Sequence, residues 1–305
     1  MRHLLTVASL KPGEIERIFA ITEDLKAKWL KGVRDALLPG RVMGLIFEKP
    51  SLRTRCSFEA GMIQLGGGTM FLGSDVGFGS RESIADFGRV ISQFVDCIVV
   101  RAFKHQTVDD MARHCTCPVI NGLTDFAHPC QALADLYTLK ELVGRVSGHT
   151  LAFVGDGNNV SRSLAAACGK LGVKFILACP KGYEFQPDYF ARLKREMPNA
   201  DIRVVVDPAE AVRDASAVYT DVWTSMGQEA ETQNRLRDFA AYQVNAQLLK
   251  KAPRHAVFMH CLPAHRGEEV TDEVIDGPQS VVVQQAGNRM HVQKGVLAWL
   301  LGQQK

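Results

Sequence analysis

Apolar positions along the chain keep two rhythms, and the two alternate. Ile15, Ile18, Phe19, Ile21 and Leu25 recur at helical spacing behind Pro12, which predicts a helix from Pro12 to Leu30 closed by Gly32. Val42 to Phe47 is a short continuous apolar run behind Pro39-Gly40 and reads as a buried strand. Phe58, Met62 and Leu65 then return to helical spacing as far as Gly66-Gly67-Gly68. Further strands are predicted at 69–72, 96–100 and 117–121 and a helix at 84–94. A long helix starts at Pro129 and runs through Leu133, Leu136, Leu139 and Leu142.

Gly144 to Gly148 reads as a boundary, after which the pattern restarts. Thr150 to Val154 is a strand, Gly155 to Asn159 a tight turn and Val160 to Leu171 a helix. Strands follow at 174–178, 202–206, 217–220, 256–259 and 280–283. A terminal helix opening at Asn288-Arg289, with Met290, Val292, Val296, Leu297 and Leu300 as its apolar members, is expected to return to the first half. Two βα domains in tandem are the simplest architecture, residues 1–145 and 146–286, with the 287–305 helix packed back on the first.

Composition narrows the function classes. Over 305 residues, 46% are apolar and 23% charged, and the net charge of +3 is spread along the chain. No basic block points to nucleic acid or to a membrane surface, and no apolar stretch approaches a membrane span. The N-terminal stretch lacks the pattern of a signal peptide and runs into an amphipathic helix, so a cytoplasmic protein is expected. The eight cysteines are irregularly spaced without C-x-x-C pairs. His114 with Cys115 and Cys117 would make a metal corner, but buried reduced thiols are the expected reading.

Candidate chemistry collects at the carboxyl ends of the predicted strands. In Ser51-Leu-Arg-Thr-Arg55, Ser51 and Thr54 fall where the first amides of a helix lack internal partners, and Arg53 and Arg55 add planar positive charge. This makes a phosphate cradle; the bland alternative is an Arg-rich first turn on a solvated surface. No G-x-x-x-x-G-K-[ST] run and no acidic pair for magnesium accompanies it, so the expected anion is a phosphate ester or acyl phosphate bound without metal. The glycine-rich stretch 73–83 is either a connector or a mobile arm over a site. Arg101 ends a strand on the cradle's side, and His128 and Gln131 share one face of a first helical turn. Val154-Gly-Asp-Gly-Asn-Asn-Val160 resembles a dinucleotide fingerprint, but Val160 replaces its third glycine and Cys179-Pro180 stands where an acidic residue is wanted. Asn158 and Asn159 therefore read as ligands for a small polar substrate or as turn residues. Asp221 offers a carboxylate to a cationic amine, and Cys261 places a thiol at a strand mouth. His260, its sequence neighbour, is expected to point away from it, against a cysteine hydrolase.

Taken together, these motifs resemble the aspartate/ornithine carbamoyltransferase family over nearly the whole chain. Ser51-Leu-Arg-Thr-Arg55 is similar to its carbamoyl-phosphate signature S-T-R-T-R, with Leu52 in place of threonine. Arg101 and His128-Pro-Cys-Gln131 match further shared contacts. Asp221 with Ser225-Met-Gly227, His260-Cys-Leu-Pro263 and Asn288-Arg289 are similar to elements of the ornithine branch. The resemblance implies two doubly wound α/β domains, bridged by the long helix after His128 and by the C-terminal helix. It further implies a homotrimer or multiple of trimers and no metal or organic cofactor. The implied reaction moves a carbamoyl group from carbamoyl phosphate to the δ-amine of L-ornithine, in arginine biosynthesis or degradation. By resemblance, Ser51, Leu52, Arg53, Thr54, Arg55, Arg101, His128, Gln131, Leu262 and Arg289 serve carbamoyl phosphate. Asn159, Asp221, Ser225, Met226 and Cys261 serve ornithine, with Arg101, His128, Asp221 and Cys261 catalytic. Gly77 departs from the family, which often carries at that point a glutamine reaching a neighbouring subunit. Competing readings are a sister enzyme acting on putrescine or an N-acylated ornithine, a nicotinamide-dependent oxidoreductase, and a non-catalytic amino-acid sensor.

Overall fold

The computed structural model describes residues 2–73, 76–225 and 229–302. The chain forms two compact units, Met1–Ala134 with Gly287–Lys305, and Asp135–Ala286. In the first, β1 (Val42–Phe47), β2 (Gly68–Leu72), β3 (Cys97–Arg101) and β4 (Val119–Leu123) pair in parallel in the order β2-β1-β3-β4. Helices α1 (Pro12–Leu30), α2 (Leu52–Gln64), α3 (Ile84–Ile91) and α4 (His105–His114) make the crossovers or flank them. β3 is buried along its whole length, as a strand covered on both faces requires, whereas β2 lies at the sheet edge and is half exposed.

In the second unit β5 (Thr150–Val154), β6 (Lys174–Ala178), β7 (Ile202–Val205), β8 (Ala217–Thr220) and β9 (Val257–His260) are again all parallel, in the order β7-β6-β5-β8-β9. Between them run α6 (Asn159–Leu171), α7 (Pro187–Glu196), α8 (Pro208–Val212), α9 (Thr232–Phe239) and α10 (Ala246–Leu249), and α11 (Asp272–Ile275) follows β9. Phe153 stacks on Tyr219 and Trp223 on Phe239 in its core. Two helices, α5 (Pro129–Val143) and α12 (Val282–Leu301), contribute residues to both units, with the breaks at Ala134/Asp135 and Ala286/Gly287.

Each sheet reverses its winding once, between β1 and β3 and between β5 and β8. At such a point neighbouring strands send their following segments to opposite faces, and a crevice opens at their carboxyl ends. β1 leads through residues 48–50 to Ser51 at the start of α2, and β3 ends at Arg101; β5 leads into the 155–159 turn, and β8 into Asp221.

The strand predicted at 280–283 is corrected: Ser280 makes an isolated bridge to Phe258, and α12 begins at Val282. Three consecutive valines look like a strand, but a short β-branched run is equally compatible with a first helical turn, and Val283 is exposed. Asn288 and Arg289 therefore sit inside α12 rather than opening it. At Gly295 α12 comes close to α1: a Cβ there would overlap the Thr22 hydroxyl and lie 2.9 Å from the Ile18 carbonyl oxygen. Thr22 holds its place by donating to that same carbonyl at 2.7 Å. Gly295→Ala is expected to cost roughly 1–3 kcal/mol by overpacking, read as a lowered urea midpoint.

Candidate active site

Ser51 caps α2: its backbone is extended, its Oγ accepts the Thr54 N–H at 3.3 Å, and its carbonyl accepts the Arg55 N–H. The N–H groups of Leu52 and Arg53 have no partner among the described residues, so they are the donors this helix end offers an anion. Leu52 is 74% exposed, so only its amide can serve.

Thr54, fully buried, is the hub of the first unit. Its Oγ1 lies 3.1 Å from Ser51 Oγ, 3.4 Å from Arg101 Nη1 and 3.1 Å from Arg289 Nη2. The α2 cap, the end of β3 and α12 thus meet at one uncharged hydroxyl, and two guanidinium groups are buried against it. Gly122 of β4 lets the strand pass close: a Cβ there would press on Val99 at 3.1 Å and reach the Thr54 methyl at 3.6 Å. Arg55 is turned elsewhere, stacked over the Phe71 ring at 3.7 Å and bonded to Glu59 at 3.2 Å. Arg53 is half-buried in the first turn of α2.

His128 immediately precedes α5 and is buried, as is Gln131. Burial drives the His128 imidazole well below its ordinary 6.5, and the positive charges of Arg289 and Arg101 push it the same way. The ring is neutral at pH 7, a hydrogen-bond donor without net charge. Cys130 behind it is pushed up to about 12 by burial and stays a thiol.

In the second unit the functional groups gather around Asp221. Its Oδ2 accepts from Asn158 Nδ2 at 2.9 Å; its Oδ1 accepts the Val222 N–H at 2.9 Å and the Cys261 thiol at 3.0 Å. Asn159 opens α6 and Ser225 lies four residues past Asp221, both half-buried. Met226, expected beside them, lies outside the described residues.

Cys261 stands on a constrained loop. Leu262 adopts φ 56°, a left-handed conformation costly for a side-chain-bearing residue, and its N–H donates to His260 Nδ1 at 2.8 Å. That bond puts the ring proton on Nε2, where it donates to the buried Glu269 Oε1 at 3.1 Å. Glu269 also takes the His265 N–H at 2.6 Å, while the His260 N–H donates to Gln285 Oε1 and Gln285 Nε2 to Asp135 at 2.7 Å. Both ring nitrogens of His260 are engaged, so it is no base for the thiol. Asp221, His260 and Cys261 bring ligand-type atoms within 4.8 Å of one another, as do His265, Glu268 and Glu269. The hydrogen bonds just described already use the inner groups of both sets.

Sequence reasoning missed a second support. Buried Arg235, on the helix after the Ser225 segment, donates to Asp156 Oδ2 at 2.6 Å, to the Trp223 carbonyl at 3.0 Å and to Glu231 at 2.8 Å. It fixes the 155–159 turn and the base of the Ser225 segment together. An acidic residue in a glycine turn was the one local signal for it. In the 73–83 stretch, Gly77 at φ +67° has the Arg81 side chain folded over it, and its carbonyl takes the Ser80 N–H and Oγ and the Arg81 N–H. Ser80 is thereby committed to the turn.

Because the native state prefers neutral His128, its contribution to stability is complete above the unfolded value of 6.5 and is lost as pH falls below it. Urea midpoints measured between pH 7 and 5 should decline in the parent, and His128→Gln should flatten that decline.

The two halves match separate family models: residues 2–141 the aspartate/ornithine carbamoyltransferase carbamoyl-P binding domain, and residues 147–300 the Asp/Orn binding domain. The ornithine carbamoyltransferase of Anoxybacillus flavithermus is 49% identical over 98% of this chain and 96% of its own. That of Geobacillus stearothermophilus is 50% identical over 98% and 97%. The solved ornithine carbamoyltransferase of Pyrococcus furiosus superposes with a TM-score of 0.96 at 46% identity, covering 100% of this chain and 98% of its own. A capped helix start beside two buried arginines in the first unit, a carboxylate–thiol pair in the second and matches of this extent lead to one conclusion: the chain belongs to the aspartate/ornithine carbamoyltransferase family.

Proposed function

We propose that the chain transfers the carbamoyl group of carbamoyl phosphate to the δ-amine of L-ornithine, releasing L-citrulline and phosphate. The observation that carries the reading is the convergence of Arg101 and Arg289 on the Thr54 hydroxyl beside the open end of α2. Two buried guanidinium groups at a helix N-terminus favour an anion there, and the capping serine and the first amides of α2 suit phosphate oxygens. In this reading Ser51, Thr54, Arg53 and the Leu52 and Arg53 amides neutralise the leaving phosphate. Arg55 joins them only by leaving Glu59 and Phe71. Arg101, neutral His128 and Thr54 donate to the carbamoyl oxygen as negative charge grows there; losing one such donor commonly costs about 10² to 10³ in rate. Gln131 and the Leu262 carbonyl hold the carbamoyl NH₂.

Ornithine is received in the second unit. Asn159, Asp221, Ser225 and Met226 hold its α-ammonium and α-carboxylate, and Cys261 beside Asp221 orients the attacking nitrogen. An alkylamine titrates near ~10, so a site that admits the scarce neutral form does part of the chemistry. The amine nitrogen bonds to the carbonyl carbon, the tetrahedral oxyanion collapses, the C–O bond to phosphate breaks, and the nitrogen loses a proton. No metal or organic cofactor enters this scheme.

We further propose a homotrimer or multiple of trimers, supported by the apolar side chains of Leu52, Ile63, Met70 and Phe71 exposed on α2 and edge strand β2. The eight unbridged cysteines support a cytoplasmic setting, and the proposed citrulline product supports a place in arginine biosynthesis or degradation. Among the described residues no helix is long and apolar enough to cross a membrane.

The decisive assay supplies carbamoyl phosphate with ornithine, putrescine or N-acetylornithine and measures ureido product; ornithine should be used best, and a preference for either other amine would replace this reading. Arg53→Ala should raise the KM for carbamoyl phosphate roughly tenfold to a hundredfold, the worth of a charge-assisted hydrogen bond. Cys261→Ala should lower kcat and raise the ornithine KM while leaving the carbamoyl-phosphate KM in place.

A further inference from the structure

We infer that Asn158 is a positioning residue: its side chain sets the orientation of the Asp221 carboxylate, and through it the Cys261 thiol, for the incoming amine. The inference rests on the reading that this pair receives ornithine. It begins from the two arms of one amide. Asn158 is the N-cap of α6, and its Oδ1 accepts the N–H groups of Val160 at 2.9 Å and Ser161 at 3.0 Å. Only the oxygen can take two donors, which settles the amide's orientation and leaves the NH₂ facing Asp221 Oδ2 at 2.9 Å.

Capping alone does not explain the residue. Serine, threonine and aspartate cap a helix about as well as asparagine, yet none of them presents a donor on a second arm. The backbone that carries this amide is held just as firmly. A Cβ at Gly157 would lie 2.7 Å from the Glu184 carbonyl, the Gly157 N–H donates to the Tyr183 carbonyl at 2.8 Å, and Asp156 is bonded to Arg235. Asn158 stands at the winding reversal between β5 and β8 and reaches from one strand end to the other. With Oδ2 taken by Asn158, Asp221 has Oδ1 turned to Val222 N and Cys261 Sγ.

Two substitutions separate the arms. Asn158→Ser keeps the cap acceptor and removes the NH₂ arm that reaches Asp221, its one hydroxyl lying on the shorter capping arm. Asn158→Asp keeps the cap and replaces the donor with a second carboxylate, so one of the two must take up a proton. The other groups facing the pair are Asp156 with Arg235 and Arg162 around the β5–α6 turn, Tyr219 on β8, His260 at the end of β9 and Cys261 just after it. They are common to parent and variant, so the ratio of the two isolates position 158.

The experiment measures steady-state kinetics in both substrates from pH 6 to 9 for the full-length parent, both variants, Asp221→Asn and Cys261→Ala, with thermal melts alongside. Asn158→Ser should fold like the parent and lose roughly tenfold to a hundredfold in kcat/KM for ornithine, the worth of a hydrogen bond to a charged group, with the carbamoyl-phosphate KM unchanged. Asn158→Asp should lose more at high pH, and its activity relative to the parent should rise as pH falls, because a proton shared between the carboxyls restores a donor. If both variants keep ornithine kinetics within about twofold while Asp221→Asn and Cys261→Ala lose them, the inference is overturned and the reading of the pair stands. Equal losses for both substrates, or a pH-independent ratio for Asn158→Asp, would reduce Asn158 to a helix cap. Unchanged ornithine kinetics in Asp221→Asn and Cys261→Ala would remove the underlying reading itself.

Discussion

A single neutral hydroxyl, that of Thr54, is where the first unit is tied together. Arg101 arrives from the end of β3, Arg289 from α12 and Ser51 from the cap of α2, and all three lie within hydrogen-bond distance of it. Two buried positive charges beside the amino end of α2 make that place electrostatically favourable for an anion. Neutral His128 follows from the same constraint, since the field of those arginines and its own burial both disfavour a further positive charge.

The second unit uses the same architectural device with the opposite sign. Its winding reversal exposes the 155–159 turn and Asp221 side by side, and the groups collected there are a carboxylate, a thiol and amides suited to an amine. Parallel sheets thus supply the sites, while the loops after the strands supply the chemistry.

Behind these groups lies a layer of buried polar side chains. Leu262 keeps a left-handed backbone because His260, Glu269 and Gln285 hold the segment from both ends. Arg235 plays the corresponding part for Asp156 and Trp223. Such networks hold a loop in one arrangement when nearly every member is satisfied, which is what a site needs for orientation.

Local pattern was enough to reveal the βα alternation, most strand ends and the capped start of α2 with its arginines, because periodicity, a capping serine and neighbouring arginines are all properties of a few consecutive residues. The 280–283 run misled for the same reason: three valines carry a strand's composition, but α12 begins at the second of them. Tertiary structure alone decided that Arg289 meets Thr54, 235 positions away, and that Arg55 turns to Phe71 instead of the cradle. It also decided that Asn158 faces Asp221 across a winding reversal. Side chains far apart in the chain meet only where strand order and helix packing bring their backbones together, and sequence spacing carries no record of that meeting.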